Sequence, residues 1–250
     1  MEVTRLGLTP LKGARHETRQ SVSLAGTGAV GDRIFCLVDP ATQRCLRTVE
    51  NPRLLQARVT WDGTSLGVVL PTGSAQDRPR GSGQVLEVDY WGRPVRVEVQ
   101  DGPWAALFSA HLGREVALVS APPGQVVYGG AVTLVTRPSL RRLGERVGVP
   151  VAGARFRATL ELDGPDLPAG AEDTWTGRRL RVGQAELTVT GPVYRCAVID
   201  LDPETAVRDL TLLKTLAGER PPGAGLAFGV EAEVSVPGQV RTGDAVVLDG

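Results

Sequence analysis

Glycine and proline interrupt this chain at short intervals, and the apolar stretches between them are short and alternating. The 250 residues include 31 glycines and 18 prolines. Segments such as RPVRVEV at 93–99 alternate apolar and polar side chains, which is the period of a half-buried β-strand. Similar patterns at 34–38, 155–162, 186–189 and 245–248 predict further strands. The chain is therefore expected to be mainly β with a few helices, an α+β fold.

Three segments have the period of an amphipathic helix instead. They span 104–112, 139–147 and 205–216, each with apolar side chains three or four positions apart. Asp101 is a candidate cap for the first of these helices and Gly113 is its candidate stop.

The segment Ala-Pro-Pro-Gly at 121–124 is the best candidate for a domain boundary. It divides the chain into residues 1–121 and residues 122–250. The polar segment 71–83 is expected to be a mobile loop and not a linker, because strand patterns resume directly after it.

The charge balance and the apolar runs limit the possible partners. With 28 basic and 28 acidic residues the formal net charge is zero, so no basic excess is present to neutralise a row of phosphates. Nucleic acid is therefore not an expected partner. No apolar run is long enough to span a bilayer, and the N-terminus lacks the apolar stretch of a signal peptide. We expect a cytoplasmic protein.

The segment 26–31, GTGAVG, has the glycine spacing of a dinucleotide-binding loop. That function requires a helix directly afterwards, whereas the following residues DRIFCLV have a β-like pattern. A glycine-rich turn between strands is the better interpretation. Of the two histidines, His111 is expected to be structural and His16 to be exposed in a loop.

Three widely spaced cysteines do not suit a disulfide framework, a zinc site or an iron–sulfur cluster. Cys36 lies in an apolar strand and is expected to be buried, and Cys45 is expected to be an ordinary loop residue. Cys196 follows a turn at the end of a strand. Composition favours a structural role for it, whereas the neighbouring Arg195 favours the metal-binding form of a thiol. The spacing alone leaves both possibilities open.

Several motifs around Cys196 occur in a fixed order. They are RFRAT at 155–159, AEDTWTG at 171–177, Arg195-Cys196, DPET at 202–205, AFGV at 227–230 and PGQVRTGD at 237–244. Together they resemble the MOSC family, named for the C-terminal domain of molybdenum cofactor sulfurases. Its members include the mitochondrial amidoxime reducing component and bacterial proteins that detoxify N-hydroxylaminopurine. Lys12, GDR at 31–33 and NPRL at 51–54 resemble motifs of the β-rich domain that precedes MOSC.

The resemblance implies an N-terminal β domain, a MOSC β-barrel and a bound molybdenum cofactor. It makes Cys196 the protein ligand to the metal and assigns Cys196 and Arg195 to catalysis. The residues expected to bind the cofactor are Lys12, Arg33, Thr136, Ser139, Arg157, Thr159, Tyr194 and Arg195.

Local patterns support parts of this set. Arg155, Arg157 and Thr159 would share one face of the predicted strand, although Arg155 has no assigned role. Thr136 and Ser139 lie where the second helix would open, and free amides there can meet an anion. Ala158-Thr159 stands in place of the family's Pro-Asn, which puts one amide contact to the cofactor in question.

Three functions are compatible with these features. The first is a reductase of N-oxygenated small molecules, such as N-hydroxylated bases or amidoximes. It would take electrons from a separate protein, because the cysteines are too few for an iron–sulfur domain as well. The second is a cofactor carrier or sulfur-transfer protein in which Cys196 carries a persulfide. The third is a degenerate barrel that binds another anion.

Overall fold

The computed structural model describes residues 1–218 and 225–249, which are mainly β-structure as expected. The strands are β1 (Glu2–Leu8), β2 (Glu17–Arg19), β3 (Ser21–Ala25), β4 (Gly28–Ala29), β5 (Phe35–Asp39), β6 (Arg44–Cys45), β7 (Arg58–Trp61), β8 (Leu66–Leu70), β9 (Gly73–Asp77), β10 (Arg80–Tyr90), β11 (Arg93–Asp101), β12 (Ala117–Ser120), β13 (Val132–Thr136), β14 (Leu160–Asp163), β15 (Arg179–Val182), β16 (Ala185–Tyr194), β17 (Ala227–Val236), β18 (Gly238–Arg241) and β19 (Val246–Asp249). The helices are α1 (Trp104–Leu112), α2 (Arg137–Val147) and α3 (Leu212–Gly218). Short 3₁₀ turns span Pro52–Gln56, Gly153–Phe156, Ala171–Thr174 and Ala197–Asp200.

Two larger sheets form the body of the protein. Strands β5, β6, β10, β11 and β12 close into a barrel in the first half of the chain, whereas the resemblance placed a β-barrel in the second half. The second half contributes six strands to an eight-stranded sheet in the order β19-β15-β16-β17-β13-β14-β1-β2. Two three-stranded sheets, β18-β3-β4 and β7-β8-β9, complete the fold. Within the described ranges no helix is long and apolar enough to cross a membrane.

Strand pairing joins the two halves of the chain. β1 pairs with β14, with Leu6 opposite Leu160, and β3 pairs with β18. Leu6 and Leu160 are fully buried in the apolar cluster that covers the large sheet. The division at residue 121 stays a prediction, and these pairs connect the two segments on either side of it.

Several sequence predictions are confirmed. The GTGAVG segment forms turns around the short strand β4 and leads into β5, so no helix follows it. α1 ends at Gly113, which has the left-handed conformation (φ 70°) typical of a helix stop. Its N-cap is Pro103 and not Asp101, and no side chain caps it. His111 is fully buried, and its Nε2 lies 3.1 Å from the Arg53 carbonyl oxygen, which supports a structural role.

The helix predicted at 205–216 begins only at Leu212. Asp202 Oδ1 accepts the backbone amides of Glu204 and Thr205, and Ala206 takes a positive φ of 64°. This turn cannot continue as a helix. As a result Val207, an apolar residue of the predicted helix, is 60% exposed.

The strand predicted at 155–162 begins only at Leu160. Residues Gly153–Phe156 form a 3₁₀ turn, and Arg157 closes it in the left-handed region at φ 53°. The shared strand face predicted for Arg155, Arg157 and Thr159 is therefore wrong. The turn, and not a pleated strand, sets the directions of these side chains.

Three expectations about exposure and loops are also wrong. The segment 71–83 contributes β9 and the start of β10, because pairing with β8 and β11 satisfies its backbone although its side chains are mostly exposed. His16 is buried, with its Nδ1 3.1 Å from Arg5 Nη2. Cys45 is buried in β6 and contacts Cys36.

Candidate functional site

Seven of the nine predicted site residues line one cavity. It holds about 120 Å³ of space that water can occupy, and it is open to the solvent. The seven residues are Lys12, Arg33, Arg157, Thr159, Tyr194, Arg195 and Cys196. They come from both halves of the chain. The two that are farthest apart in sequence, Lys12 and Cys196, are separated by 184 positions.

The lining of this cavity is strongly basic although the chain as a whole is neutral. Six basic side chains contribute to it, and no Asp or Glu of the described residues does. The six are Lys12, Arg33, Arg47, Arg155, Arg157 and Arg195. Such a lining favours an anionic ligand with several negatively charged groups.

Strand β16 carries Cys196 to the cavity wall. The strand ends at Tyr194, and Cys196 opens the 3₁₀ turn Ala197–Asp200 with an extended backbone at φ −118°. Its side chain is partly exposed, whereas Cys36 and Cys45 are buried. Cys196 is therefore the thiol that a ligand in the cavity can reach.

The neighbouring Arg195 is held by two backbone carbonyl groups. Its Nε donates to Phe228 O and its Nη1 to Phe156 O, both at 2.8 Å. The guanidinium carbon lies 5.3 Å from the centre of the Phe156 ring. The third nitrogen, Nη2, is buried without a hydrogen-bond partner among the described residues. Burial lowers the pKa of Arg195 to about 9, because the charged form is poorly solvated there.

Arg157 has the same features. Its Nη1 donates to Ala14 O at 2.7 Å, and its Nη2 is also buried without a partner in the described chain. Burial, followed by the nearby charge of Arg33, lowers the pKa of Arg157 to about 9. Arg33 differs because it forms an ion pair with Asp32, while its Nη2 donates to Arg157 O at 3.4 Å. Arg33 thus positions Arg157, and Arg157 keeps a free donor.

Lys12 and Tyr90 line the cavity on the side of the barrel. Lys12 Nζ donates to Leu46 O at 3.3 Å and lies 5.3 Å from the centre of the Tyr90 ring. Burial lowers the pKa of Lys12 to about 8. The Tyr90 hydroxyl is buried without a partner in the described structure, and burial raises its pKa. No motif indicated Tyr90, since its position depends on the closure of the barrel.

Arg155 and Thr159 reach the cavity with most of their polar atoms occupied. Arg155 Nη1 and Nη2 donate to the two carboxylate oxygens of Asp209 at 2.8 and 2.5 Å, and Asp202 lies 3.7 Å away. The charge of Arg155 is therefore largely neutralised. Thr159 Oγ1 accepts the backbone amide of Thr133 at 3.3 Å.

Thr136 and Ser139 do not line the cavity. Thr136 is the N-cap of α2, and its Oγ1 accepts the Ser139 amide at 3.3 Å and lies 2.9 Å from Glu172 Oε2. Ser139 Oγ accepts the Gly170 amide at 2.8 Å. Both side chains are buried, and their bonds fix α2 to the Ala171–Thr174 turn. The polar groups at the start of α2, which were expected to bind an anion, are hydrogen-bonded within the protein itself.

Exposed aromatic rings lie at the mouth of the cavity, and no motif indicated two of them, Trp91 and Tyr128. Trp91 and Tyr128 lie with ring centres 5.4 Å apart, and the Arg47 guanidinium carbon is 4.2 Å from the Trp91 ring centre. Tyr194 is 52% exposed on the same lining. Trp91 has φ 56°, a conformation that is costly for a bulky residue and often occurs at functional sites.

Comparisons with known proteins identify the family of this chain. The MOSC domain family matches residues 111–247, more than half of the chain. This chain belongs to the MOSC domain family, which is linked to binding of the molybdenum cofactor. The closer resemblance to the amidoxime reducing component stays a prediction.

The solved structures that match the chain share little sequence with it. The YuaD protein from Bacillus subtilis is 13% identical with a TM-score of 0.47, over 99% of this chain and 94% of that one. YiiM from Geobacillus stearothermophilus is 19% identical with a TM-score of 0.37, over 48% of this chain and 55% of that one. YiiM from Escherichia coli is 20% identical with a TM-score of 0.35, over 49% and 55%. The chain thus spans about half the length of the YiiM proteins. No curated protein matches the sequence.

Proposed function

We propose that this protein binds the molybdenum cofactor in the basic cavity, with Cys196 as the ligand to the metal, and reduces N-oxygenated compounds. The supporting observation is the lining, which has six basic side chains, one accessible thiol and no carboxylate among the described residues. A thiolate is a suitable soft ligand for a metal held by a dithiolene. Cationic donors suit the terminal phosphate of the cofactor.

Polar atoms without hydrogen-bond partners provide a second test of whether the cavity residues fit the cofactor. Arg157 Nη2, Arg195 Nη2 and the Tyr90 hydroxyl are buried without partners in the described structure, and all three side chains line the cavity. A buried polar group without a partner costs about 1–3 kcal/mol. An anionic ligand that accepts hydrogen bonds from these groups removes that cost, so the residues fit the cofactor.

Each of these side chains has a separate task in the proposed enzyme. Arg157 and Arg195 bind anionic groups, and their carbonyl contacts keep the guanidinium planes in place. The backbone turn after β16 fixes the direction of Cys196. Lys12 Nζ, with its pKa lowered to about 8, holds a proton at the cavity wall that it can release near neutral pH. When bound, the cofactor supplies a two-electron redox centre that accepts oxygen atoms.

The aromatic side chains at the entrance of the cavity favour a planar substrate. Trp91, Tyr128 and Tyr194 are each 42–52% exposed and line the entrance. Aromatic side chains stack on flat rings, and such pairs contribute about 0.5–1.5 kcal/mol beyond area burial. N-hydroxylated bases and aromatic amidoximes have the required shape and carry the oxygen to be removed.

Electrons have to come from a separate protein in this proposal. The chain has three cysteines, and an iron–sulfur cluster alongside Cys196 requires more. We therefore expect the purified holoprotein to be inactive with NADH or NADPH alone. Addition of a flavin or haem electron-transfer protein, or of a strong artificial reductant, should restore turnover.

Assays of metal-loaded protein test the proposal. Protein from a cofactor-competent host should contain molybdenum and pterin, and with reduced viologen it should reduce N-hydroxylated bases or amidoximes. Sulfoxides and aliphatic N-oxides serve as comparison substrates. Loaded protein that turns over none of these compounds is a cofactor carrier and not a reductase. Protein without molybdenum and pterin from such a host contradicts the cofactor proposal itself.

A further inference from the structure

Two buried thiols that take no part in the cofactor site lie in contact within the barrel. Cys36 belongs to β5 and Cys45 to β6, and their Sγ atoms are 3.5 Å apart. Cys45 lies opposite Val38 in the antiparallel pair, so its side chain is on the same face as that of Cys36, two residues before Val38. The two cysteines are therefore diagonal neighbours on one face of the barrel wall.

Lys12 connects this thiol pair to the cavity. The Lys12 amide donates to Phe35 O at 2.8 Å, next to Cys36. Its Nζ donates to Leu46 O at 3.3 Å, next to Cys45. Lys12 is thus bonded through its backbone to β5 and through its side chain to the residue that follows β6, and it lines the cavity.

We propose that Cys36 and Cys45 form a reversible intramolecular disulfide on reaction with a hydroperoxide, and that closure of this bond shifts Lys12 in the cavity. The site has the features of a peroxide-sensitive thiol pair, namely two sulfur atoms in contact and an amine nearby. The reaction involves neither Cys196 nor the bound cofactor, so it can occur whether or not the proposed function is correct.

The surroundings assign different tasks to the two sulfur atoms. Cys45 is the more accessible, at 6% exposed against 1% for Cys36. The hydrogen bond from Cys36, and then the charge of Lys12, lower the pKa of Cys45. The same hydrogen bond, together with burial, raises the pKa of Cys36. Cys45 is thus the attacking thiolate and Cys36 the resolving thiol.

The reaction proceeds in two balanced steps. The Cys45 thiolate attacks the peroxide, so that a sulfur–oxygen bond forms, the O–O bond breaks and the departing oxygen takes a proton and leaves as water or an alcohol. Cys36 Sγ then attacks the sulfenic sulfur, the S–S bond forms, and the hydroxyl group leaves as water with the Cys36 proton. Two thiols are oxidised by two electrons, and one hydroperoxide is reduced.

Closure of the bond has a structural consequence. A disulfide requires the sulfur atoms to lie about 2.05 Å apart, so they approach by roughly 1.5 Å from their present 3.5 Å. Because Cys36 and Cys45 are diagonal and not directly opposite, this approach draws β6 along β5. Leu46 O moves with Cys45, and Lys12 Nζ follows its acceptor.

Peptide mapping tests the disulfide directly. The full-length protein is treated with hydrogen peroxide, alkylated and digested with trypsin without reduction. Trypsin cleaves after Arg33, Arg44 and Arg47, so the disulfide links peptide 34–44 to peptide 45–47. We expect this linked pair in oxidised protein, its loss after dithiothreitol, and its persistence in Cys196→Ser. Three free thiols after treatment, or a link to the peptide that begins at Cys196, overturns the proposal.

Lysine labelling tests the link to the cavity. Lys12 and Lys214 are the only lysines in the sequence, so Lys214 serves as an internal control for brief acetylation. A disulfide carries no negative charge beside the amine, and we expect Lys12 labelling relative to Lys214 to rise about twofold at pH 7.5, the effect of a pKa decrease of about 0.5 from a starting value of about 8. Reduction should reverse the change, and Cys45→Ser should not show it. An unchanged ratio in oxidised parent protein overturns the proposed shift of Lys12.

Discussion

Arg155 lies in the 3₁₀ turn that Arg157 closes, and both line the same cavity, yet their substitutions should have different effects. Arg157 has a buried Nη2 without a partner in the described chain, whereas the guanidinium of Arg155 is engaged by Asp209 and Asp202. We expect Arg157→Lys to weaken cofactor binding. Arg155→Met should lower the stability of the protein and leave cofactor affinity close to that of the parent.

The magnitudes follow from the contacts. Lysine at 157 keeps the charge but cannot both replace the bond to Ala14 O and reach the ligand with a second donor. The loss of one charge-assisted hydrogen bond costs about 1.5–3 kcal/mol, which corresponds to roughly a 10- to 150-fold weaker affinity. Arg155→Met removes a bidentate ion pair, and we expect a loss of about 1–3 kcal/mol in the free energy of unfolding.

The assay is anaerobic titration of apoprotein with molybdopterin, followed by pterin fluorescence. Urea unfolding of each apoprotein measures stability in parallel, so a loss of affinity can be separated from a loss of fold. Equal affinities of Arg157→Lys and the parent, with both folded, would refute the role assigned to Arg157 Nη2. An Arg155 variant that is as stable as the parent but binds as poorly as Arg157→Lys would reverse the two roles.

Three other substitutions have distinct expected outcomes. Tyr90→Phe removes a buried hydroxyl without a partner in the described structure, so the apoprotein should melt at the same or a higher temperature while cofactor affinity falls; a lower melting temperature with unchanged affinity would argue against it. Burial lowers the folded-state pKa of Lys12 to about 8, below the value of 10.5 for a free side chain, so the unfolded chain holds the proton more tightly. The unfolding free energy of apoprotein should therefore rise relative to Lys12→Met between pH 8 and about 10, and equal pH profiles in urea titrations would exclude this. Thr136→Ala removes the α2 cap and should lower the free energy of unfolding by about 1 kcal/mol without changing metal content. A folded variant that has lost its metal would show that Thr136 contributes to the cofactor site.

The β-rich fold and most members of the site could be predicted because local patterns and motif order carry that information. Alternation of apolar and polar residues predicted β11 and β16. The resemblance assigned Lys12, Arg157, Arg195 and Cys196 to one site, and all four line one cavity. The strand predicted at 155–162 is present only from Leu160 onward, because alternation of apolar and polar residues also occurs in the preceding 3₁₀ turn, which ends in a left-handed residue. The motif correctly indicated residues of the cavity, although the secondary structure predicted for it was wrong.

Other features depend on distant parts of the chain and leave no local signal. Tyr90 reaches the cavity only because the barrel closes, and the Cys36–Cys45 contact requires the register of β5 and β6. Thr136 and Ser139 carry the signal of an anion-binding helix start, but Glu172 and Gly170 from a separate turn occupy their polar atoms. Such occupation by a remote partner is visible only in three dimensions.

Molybdenum content of single cysteine variants tests the proposed metal ligand most directly. Parent, Cys36→Ser, Cys45→Ser and Cys196→Ser are purified in parallel from a cofactor-competent host, and metal per protein is measured by elemental analysis with circular dichroism as a check of folding. Because only Cys196 is a partly exposed thiol on the cavity wall, we expect Cys196→Ser to lose its molybdenum and the other two variants to keep it. Molybdenum in folded Cys196→Ser equal to that in the parent would contradict the assignment of Cys196 as the ligand.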